Sequence, residues 1–586
     1  MSKESQRIPI SMYIDVAALT IFEGIGKSLV KTFELERSLR LAGLYIHPVR
    51  YACRILLYTV VSAFISATAS VLLLLTTAPP LLIGAVYLSV MVLAPISTFA
   101  FGLSYPSLIA SLRRLYVDSE LPFFITYLAT MVRGGVSTEV AISRVANLRV
   151  FRYISGEAGR IVRQIKVFGD DSITAITKVA HDSPSTKFRD FMLGYVATLR
   201  AGGDVIHYLE TKAREALVNR ISEIRSMVER LAIYLELYVI LGVIVSLTVF
   251  TFFATSGAIT AIGGPRLKGA GLDPRIPLLY NTLILPGLGF ITLFLIHLSQ
   301  PKTSFPHRLP YLMLLFSAPI AIPSALAVII VGDSWSIFEG IVKMRNVPVM
   351  ILSITIMLIV LSVPPWATYS FERRGTKGLI RALANFMRDL SETMKSGLSP
   401  EKCFITLSIR SYGNLTGIVR RIATAIAIGM SLDRALLGAV GRVKEWFLAV
   451  IFRFLVDSLS VGGGSPEVVD ALANFTQGLS ESEEELRRSL RLYMTLPYFG
   501  AVLVAVSPIL IIWQLIAASP SPPEPDAIAP LTAMLSLGAI INSYVMGLIA
   551  GKIGSLTVAA GFKHSVIMTI MTAVAIIMAL VMFKML

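Results

Sequence analysis

The sequence predicts an all-α integral membrane protein with about nine transmembrane helices and two homologous cytoplasmic domains, each a helical bundle. Of its 586 residues, 55% are hydrophobic and only 15% are charged, whereas about a quarter of the residues in a soluble domain are charged. Several intervals carry no charge over roughly 20 residues, the length that a membrane-spanning helix needs. Two long polar stretches, 104–230 and 368–494, repeat the same series of glycine-centred turns.

The N-terminal segment, residues 1–54, is polar. It contains eight basic and five acidic residues. Asp15 and Glu23 interrupt its apolar stretch, so we expect no cleaved signal peptide. We place this segment in the cytoplasm.

The first membrane crossings form a hairpin over 55–103. No charged residue occurs between Ile55 and Leu112, which leaves room for two helices. Pro79 and Pro80 favour a turn between them. Further crossings are predicted near 237–256, 277–298, 310–332, 347–367, 495–517, 528–550 and 565–583. These crossings define transmembrane segments 231–298 (helices 3 and 4), 310–367 (helices 5 and 6) and 495–586 (helices 7 to 9).

Charge sets the predicted orientation. The stretch 104–230 holds 18 basic and 13 acidic residues, and 368–494 holds 17 and 13. Four crossings separate the two stretches, so both lie on the same side. The loop "SPSPPEPDA" has acids but no Lys or Arg, which places it outside. The C-terminus is then also outside, as is the loop 257–276, although that loop carries three cations. The net charge of +16 thus belongs largely to cytoplasmic surfaces, and we expect no nucleic acid partner.

The first turn of the repeat occurs in "RGGVSTEVAI" at 133–142 and in "KSGLSPEKCF" at 395–404, 262 positions later. Gly135 and Gly397 permit a left-handed residue that ends one helix. Ser137 and Ser399 can cap the next helix, and an acid in its first turn suits the helix dipole.

Two more turns recur in the same order. The second turn has a glycine that ends one helix and a residue that caps the next: Gly169 and Asp171 in the first copy, Gly429 and Ser431 in the second. The third turn has two adjacent glycines: Gly202 and Gly203 in the first copy, Gly462 and Gly463 in the second. Turns of this kind between amphipathic stretches are typical of a helical bundle.

The membrane helices repeat as well, with two crossings before and two after each domain and one extra helix at the end. This predicts a parallel duplication, an internal dimer. After the third turn, each copy reads as one helix into the next crossing, supported by acid–base spacings of four at Glu483 and Arg487, Glu484 and Arg488, and Glu210 and Arg214. Such a helix would couple the domain rigidly to the membrane; the alternative is a stalk without a mechanical role.

Catalytic and metal-binding patterns are missing from the sequence. "GIGKS" at 24–28 lacks the earlier glycine of a phosphate loop, because Ile21 stands there. The six histidines are scattered, and Cys53 and Cys403 are the only cysteines, so we expect no disulfide framework, metal site or cofactor. The only acid found at the predicted crossings is Glu236, at the cytoplasmic edge of the third. An ion-coupled transporter would carry ionisable groups near the midplane, so this pattern disfavours one.

The order and duplication of the turns resemble the type II secretion F domain, whose joints read "GG(V)S...E...A", "G...(S/D)...A(I/L)" and "L..GG(D).....L". Two such domains with nine crossings are similar to the archaeal platform protein of the archaellum and type IV pili, rather than to the shorter bacterial Tad-type relatives. The resemblance covers about residues 50–560. The second copy departs from it with a third glycine and Pro466 after its last turn.

The resemblance implies a non-enzymatic platform in the cell membrane. Such a platform binds a hexameric cytoplasmic secretion ATPase and passes its motion to pilin-like or archaellin-like filament subunits. A membrane permease driven by a separate ATPase and a scaffold without a motor are the alternatives. Monomer and homodimer both stay open.

We also form a hypothesis about the ATPase-facing surface. Cations beside the turns would help to form it, namely Arg133, Arg144, Arg200, Lys395 and Arg453. The alternative is that these side chains only solvate helices or face lipid headgroups.

Overall fold

A computed structural model describes residues 10–77, 81–148, 150–262, 275–300, 309–334, 342–440, 445–461, 466–518 and 524–582. It is 88% helical, and the described residues contain no β-strand. Nine helices within these ranges are long and apolar enough to span a membrane. The predicted all-α membrane fold is therefore confirmed. The predicted turn at Pro79 and Pro80 lies outside the described residues, as does most of the loop 257–276.

The chain divides into two compact units, Met1–Ala216 and Leu217–Leu586. The helices of the first unit are α1 Ile10–Thr32, α2 Leu35–Ala42, α3 Pro48–Thr77, α4 Leu81–Arg133, α5 Thr138–Ala146, α6 Ile154–Lys166, α7 Ser172–Asp182, α8 Thr186–Arg200 and the first part of α9 Val205–Val239. A single helix, α4, thus includes the second predicted crossing and the first helix of the polar domain.

The N-terminal helices pack onto the rest of the first unit. Asp15, which breaks the apolar pattern of α1, accepts two hydrogen bonds from the Arg54 guanidinium at 2.7 and 2.8 Å. Arg113 of α4 donates to the carbonyl of Leu41 at 2.9 Å and pairs with the buried Glu157 of α6. These contacts attach the N-terminal segment to both the first hairpin and the polar bundle.

The second unit begins within α9. Its further helices are α10 Ser246–Ile262, α11 Arg275–Leu279, α12 Leu285–Ser299, α13 Leu309–Val331, α14 Val347–Arg374, α15 Leu379–Lys395, α16 Pro400–Leu407, α17 Thr416–Ala427, α18 Leu432–Val440, α19 Trp446–Val461, α20 Pro466–Tyr493, α21 Leu496–Ala517, α22 Pro525–Ser555 and α23 Val558–Met582. Short π-helical segments, Ile240–Val245 and Tyr280–Ile284, interrupt two of the spans.

Helix α22 is the most buried of the described spans, because 78% of its apolar stretch lies inside the protein. Small residues let it approach α23 closely: a Cβ at Gly547 would lie 2.3 Å from the Cα of Ser565, and one at Gly551 would lie 2.2 Å from the Cα of Gly561. Close packing of this kind is how helices associate in lipid, where hydrophobic burial gives no preference for protein neighbours.

Two buried polar side chains of this span, Asn542 and Lys552, have hydrogen-bond partners. Asn542 accepts from the Tyr238 hydroxyl at 3.2 Å and donates to the carbonyl of Gly242 at 3.2 Å. Lys552, in the last turn of α22, lies 3.1 Å from the carbonyl of Leu556 and 3.4 Å from Nδ1 of His297. Lys552 is thus a buried cation at a helix end, which the sequence analysis did not identify.

Candidate functional site

The first turn of the repeat ends α4 by backbone hydrogen bonding. Gly135 is left-handed, with a φ of 84°. Its amide and that of Val136 both donate to carbonyls of the last helical turn at 3.0 Å, which is the Schellman arrangement. Ser137 then caps α5, its hydroxyl accepting from the amide of Val140 at 3.4 Å.

The second and third turns of the first copy have the same features. Gly169 and Gly202 have φ values of 75° and 66°, and Gly203 follows without a left-handed φ. Asp171 caps α7 by accepting from the amide of Thr174 at 3.0 Å. Hydrogen bonds from the side chain and the amide of Thr174 lower the pKa of Asp171, so this cap stays charged at neutral pH.

These three turns lie at one end of the first bundle. Ser172, beside the second turn, donates to the Glu139 carboxylate beside the first at 2.9 Å. Arg133, just before the first turn, pairs at 2.8 Å with Glu210 after the third. We call this end of a bundle, defined by its three glycine turns, the joint end.

The second copy repeats the arrangement. Gly397 and Gly429 both have a φ of 88°. Ser399 caps α16 by accepting from the amide of Lys402 at 3.5 Å, whereas Ser431 contributes its carbonyl to the first turn of α18. Gly462 and Gly463 lie outside the described residues. The bond from Ser460 to Asp433, at 3.0 Å, brings the second and third turns together.

An ion pair recurs at matching places in the two copies. Lys395 pairs with Asp470 at 2.7 Å, as Arg133 pairs with Glu210. Each cation precedes the left-handed glycine of the first turn by two residues, and each acid follows the first glycine of the third turn by eight. Sequence reasoning missed this pair, although that common spacing was a readable signal. In each copy the pair joins the helix before the first turn to the helix that leaves the bundle.

The opposite end of the first bundle has its own anchor. The buried Glu120 of α4 accepts from the backbone amides of Arg152, Tyr153 and Ile154 at 3.1, 3.1 and 2.8 Å. These amides precede or begin α6 and would otherwise lack partners. One carboxylate thus fixes the start of α6 against α4.

The five cations of the hypothesis do not form one cluster. Arg133 and the exposed Arg200 lie at the joint end of the first bundle, whereas Arg144 is in the last turn of α5, away from that end. Lys395 lies at the joint end of the second bundle. Arg453 is within α19 and pairs with Asp457 at 3.2 Å.

Metal ligation has no candidate in the described part of the chain, where no three His, Cys, Asp or Glu side chains gather.

Comparison with known families identifies the repeated bundles. The family model described as "Type II secretion system (T2SS), protein F" matches residues 124–253 and 386–516. The two matches begin 262 positions apart, which is the spacing of Gly135 and Gly397. The chain carries two type II secretion F domains. Each match covers a helical bundle and most of the span that follows it, and we use the name F domain for the bundle alone.

The chain is also similar to an archaeal protein of about the same length. The chain is 21% identical over 489 residues to an uncharacterized protein of Methanocaldococcus jannaschii, MJ1286, and the alignment covers 80% of this chain and 81% of the relative. No solved structure matches the chain.

The helices that leave the two F domains meet in the second unit. Arg225 of α9 forms two bonds with Glu485 of α20, at 3.1 and 3.3 Å. Leu217 packs at Gly478, where a Cβ would lie 2.9 Å from the leucine side chain. A cavity of about 290 Å³ lies between the helices and is lined by Ile221, Ile224, Val228, Leu486, Leu492 and Tyr493, among others. We call this contact the seam.

Two details of these helices differ from the sequence predictions. Glu483 pairs with Arg487 as predicted, but Glu484 pairs with Arg381 at 3.1 Å, and Glu210 pairs with Arg133 instead of Arg214. Longer-range partners are within reach of these flexible side chains. In the second copy the helix also breaks after Tyr493, whereas α9 continues through a π segment into α10.

Proposed function

We propose that the protein is the non-enzymatic membrane platform of an archaeal machine that assembles type IV pilus-like filaments or archaella. A hexameric cytoplasmic secretion ATPase binds the F domains from the cytoplasm. Its motion passes along α9 and α20 into the membrane helices, which act on pilin-like or archaellin-like subunits.

One observation carries this proposal. Each F domain is joined to a span by a long helix, and the two helices meet at the seam through the Arg225–Glu485 pair. A helix of 35 residues such as α9 is roughly 50 Å long. Movement of a joint end therefore has a direct mechanical route to the membrane bundle.

The orientation belongs to the same proposal. The N-terminus and both F domains lie in the cytoplasm, where an ATPase can reach them, and the C-terminus lies outside. The cations Arg133, Arg144, Arg200, Lys395 and Arg453 contribute to the ATPase-facing surface.

Purification from the native host in mild detergent tests the proposal. We expect a hexameric secretion ATPase to copurify, and deletion of the gene to abolish filaments. Flux of a small solute through vesicles that contain the purified protein, with filaments retained after deletion, would instead support a permease and overturn the platform assignment.

A further inference from the structure

Large apolar side chains are exposed at the second turn of both F domains. Phe168, immediately before the left-handed Gly169, is 66% exposed, and Val167 beside it is also exposed. Ile428, immediately before the left-handed Gly429, is 76% exposed, and Met430 follows. We call these two turns, 167–169 and 428–430, the tips.

The backbone holds the tips away from their own bundles. In the second copy the amide of Met430 donates to the carbonyl of Ala425 and that of Gly429 to Ile426, at 3.0 and 2.9 Å, which closes the Schellman motif. In the first copy the amide of Phe168 donates to Arg163 at 3.3 Å. The side chains therefore project from well-formed turns in both copies.

Lipid does not account for this exposure in the first copy. The last charge-free residue of the first hairpin is Leu112, and Arg133 at the joint end follows about 20 residues later on the same helix. A helix of that length covers roughly 30 Å. The tip at Phe168 shares this joint end, so it projects towards the cytoplasm.

Exposed cations lie beside each tip. Arg163 and Lys166 precede the first tip without an ion-pair partner in the described residues, whereas the neighbouring Asp170 pairs with Lys178 at 2.8 Å. After the second tip, Arg434 is exposed without such a partner, and Asp433 accepts a hydrogen bond from the Ser460 hydroxyl. Each tip thus combines exposed apolar side chains with nearby cations that have no ion-pair partner, although a helix-start carboxylate also lies close by, Asp171 in the first copy and Asp433 in the second.

A shallow cleft of about 40 Å³ adjoins the first tip. Its walls are apolar and its rim carries both charges, with the lining residues Ile142, Ile161, Ile165, Ile176, Glu139 and Lys166 among others. The cleft therefore gives a partner that binds the tip a second apolar surface beside it.

We infer that each tip inserts into an apolar pocket on the cytoplasmic motor ATPase, and that acidic residues rim that pocket. This inference rests on the proposed function and adds the chemistry of the contact. Acidic rims complement the unpaired cations, and burial of an aromatic or branched side chain supplies affinity at the centre of such a contact. A second copy of this chain fits less well, because it would place cation against cation.

The test measures binding of the purified secretion ATPase to the full-length protein in nanodiscs. The variant Phe168→Ser with Ile428→Ser should bind about tenfold more weakly or worse, since burial of such side chains is typically worth 10-fold or more in affinity. Ile409→Ser is the matched control, because Ile409 is 82% exposed between α16 and α17 and not at a tip. It should bind like the wild type.

The outcomes separate the two proposals. If the wild type fails to bind the ATPase, the proposed function and this inference both fail. If the wild type binds and the tip variant binds equally well, only the inference is overturned. An equal loss in the Ile409 variant would also overturn it, because the effect would then be general to exposed apolar residues.

A fluorescent label at Phe168→Cys gives a readout that does not depend on weakened binding. The native Cys53 and Cys403 are fully buried, and burial raises the pKa of the Cys403 thiol, so the new thiol reacts selectively. We expect an environment-sensitive label there to shift to the blue when the ATPase is added. Quenching by brominated phosphatidylglycerol without ATPase would place the tip in lipid and overturn the inference.

Discussion

At the scale of single residues, the repeated ion pair raises the question of whether each cation serves to bind the ATPase or to hold its own carboxylate. Arg133 and Lys395 are candidates for contact with the ATPase, and each is also paired with a carboxylate. All four side chains are more than a third exposed, from 34% for Glu210 to 51% for Lys395. Such pairs add only about 0.2–1 kcal/mol to stability. Each cation is therefore available to attract a partner while it holds its own acid.

Two double variants separate these roles. Arg133→Glu with Lys395→Glu should weaken ATPase capture about tenfold, because the motor then meets acids where cations stood. Glu210→Gln with Asp470→Asn breaks the same pairs but keeps both cations, and should leave capture at the wild-type level. Affinity and thermal unfolding would be measured for both. An equal loss of capture in the two variants would show that the pairs act as internal ties, and would remove these cations from the binding surface.

At the scale of helices, the two helices that leave the F domains are the route by which motion would reach the membrane. Arg488→Pro places a proline inside α20 at an exposed position, which costs about 3 kcal/mol of helix stability and introduces a kink. We expect filament assembly to be lost while ATPase capture by the joint ends persists. Arg488→Ala, the control, removes the same side chain and keeps the helix. Normal assembly in the proline variant would mean that α20 is a stalk without a mechanical role.

The helices and turns also show what the sequence reveals and what it does not. A charge-free run such as that from Ile55 to Leu112 predicts spans because lipid excludes charge, and a glycine such as Gly135 predicts a left-handed turn because other residues resist that φ. The partner of a side chain depends instead on how distant helices pack. Arg54 with Asp15 and Glu484 with Arg381 are such partners, so periodicity along one helix could not identify them.

At the scale of the whole molecule, duplication has kept some features in both copies and changed others. The left-handed glycines, the ion pair and the apolar tips recur, whereas the joining helix is continuous in the first copy and broken after Tyr493 in the second. A motor that grips both F domains in the same way would therefore meet two different links to the membrane. Such a difference would let one hexamer produce unequal movement in the two halves.

That reasoning requires both F domains to be on one side of the membrane, which cysteine labelling of intact cells can test. We expect Arg152→Cys and Arg421→Cys, both at exposed positions, to react with an impermeant maleimide only after the cells are permeabilised. Glu524→Cys, exposed at the start of α22, should react in intact cells because the proposed orientation puts it outside. The buried Cys53 and Cys403 give little background. Reaction of only one of the two domain positions in intact cells would place the F domains on opposite sides, and no single cytoplasmic motor could then bind both. Reaction of both, with Glu524→Cys protected, would reverse the orientation and leave the motor without access to either domain.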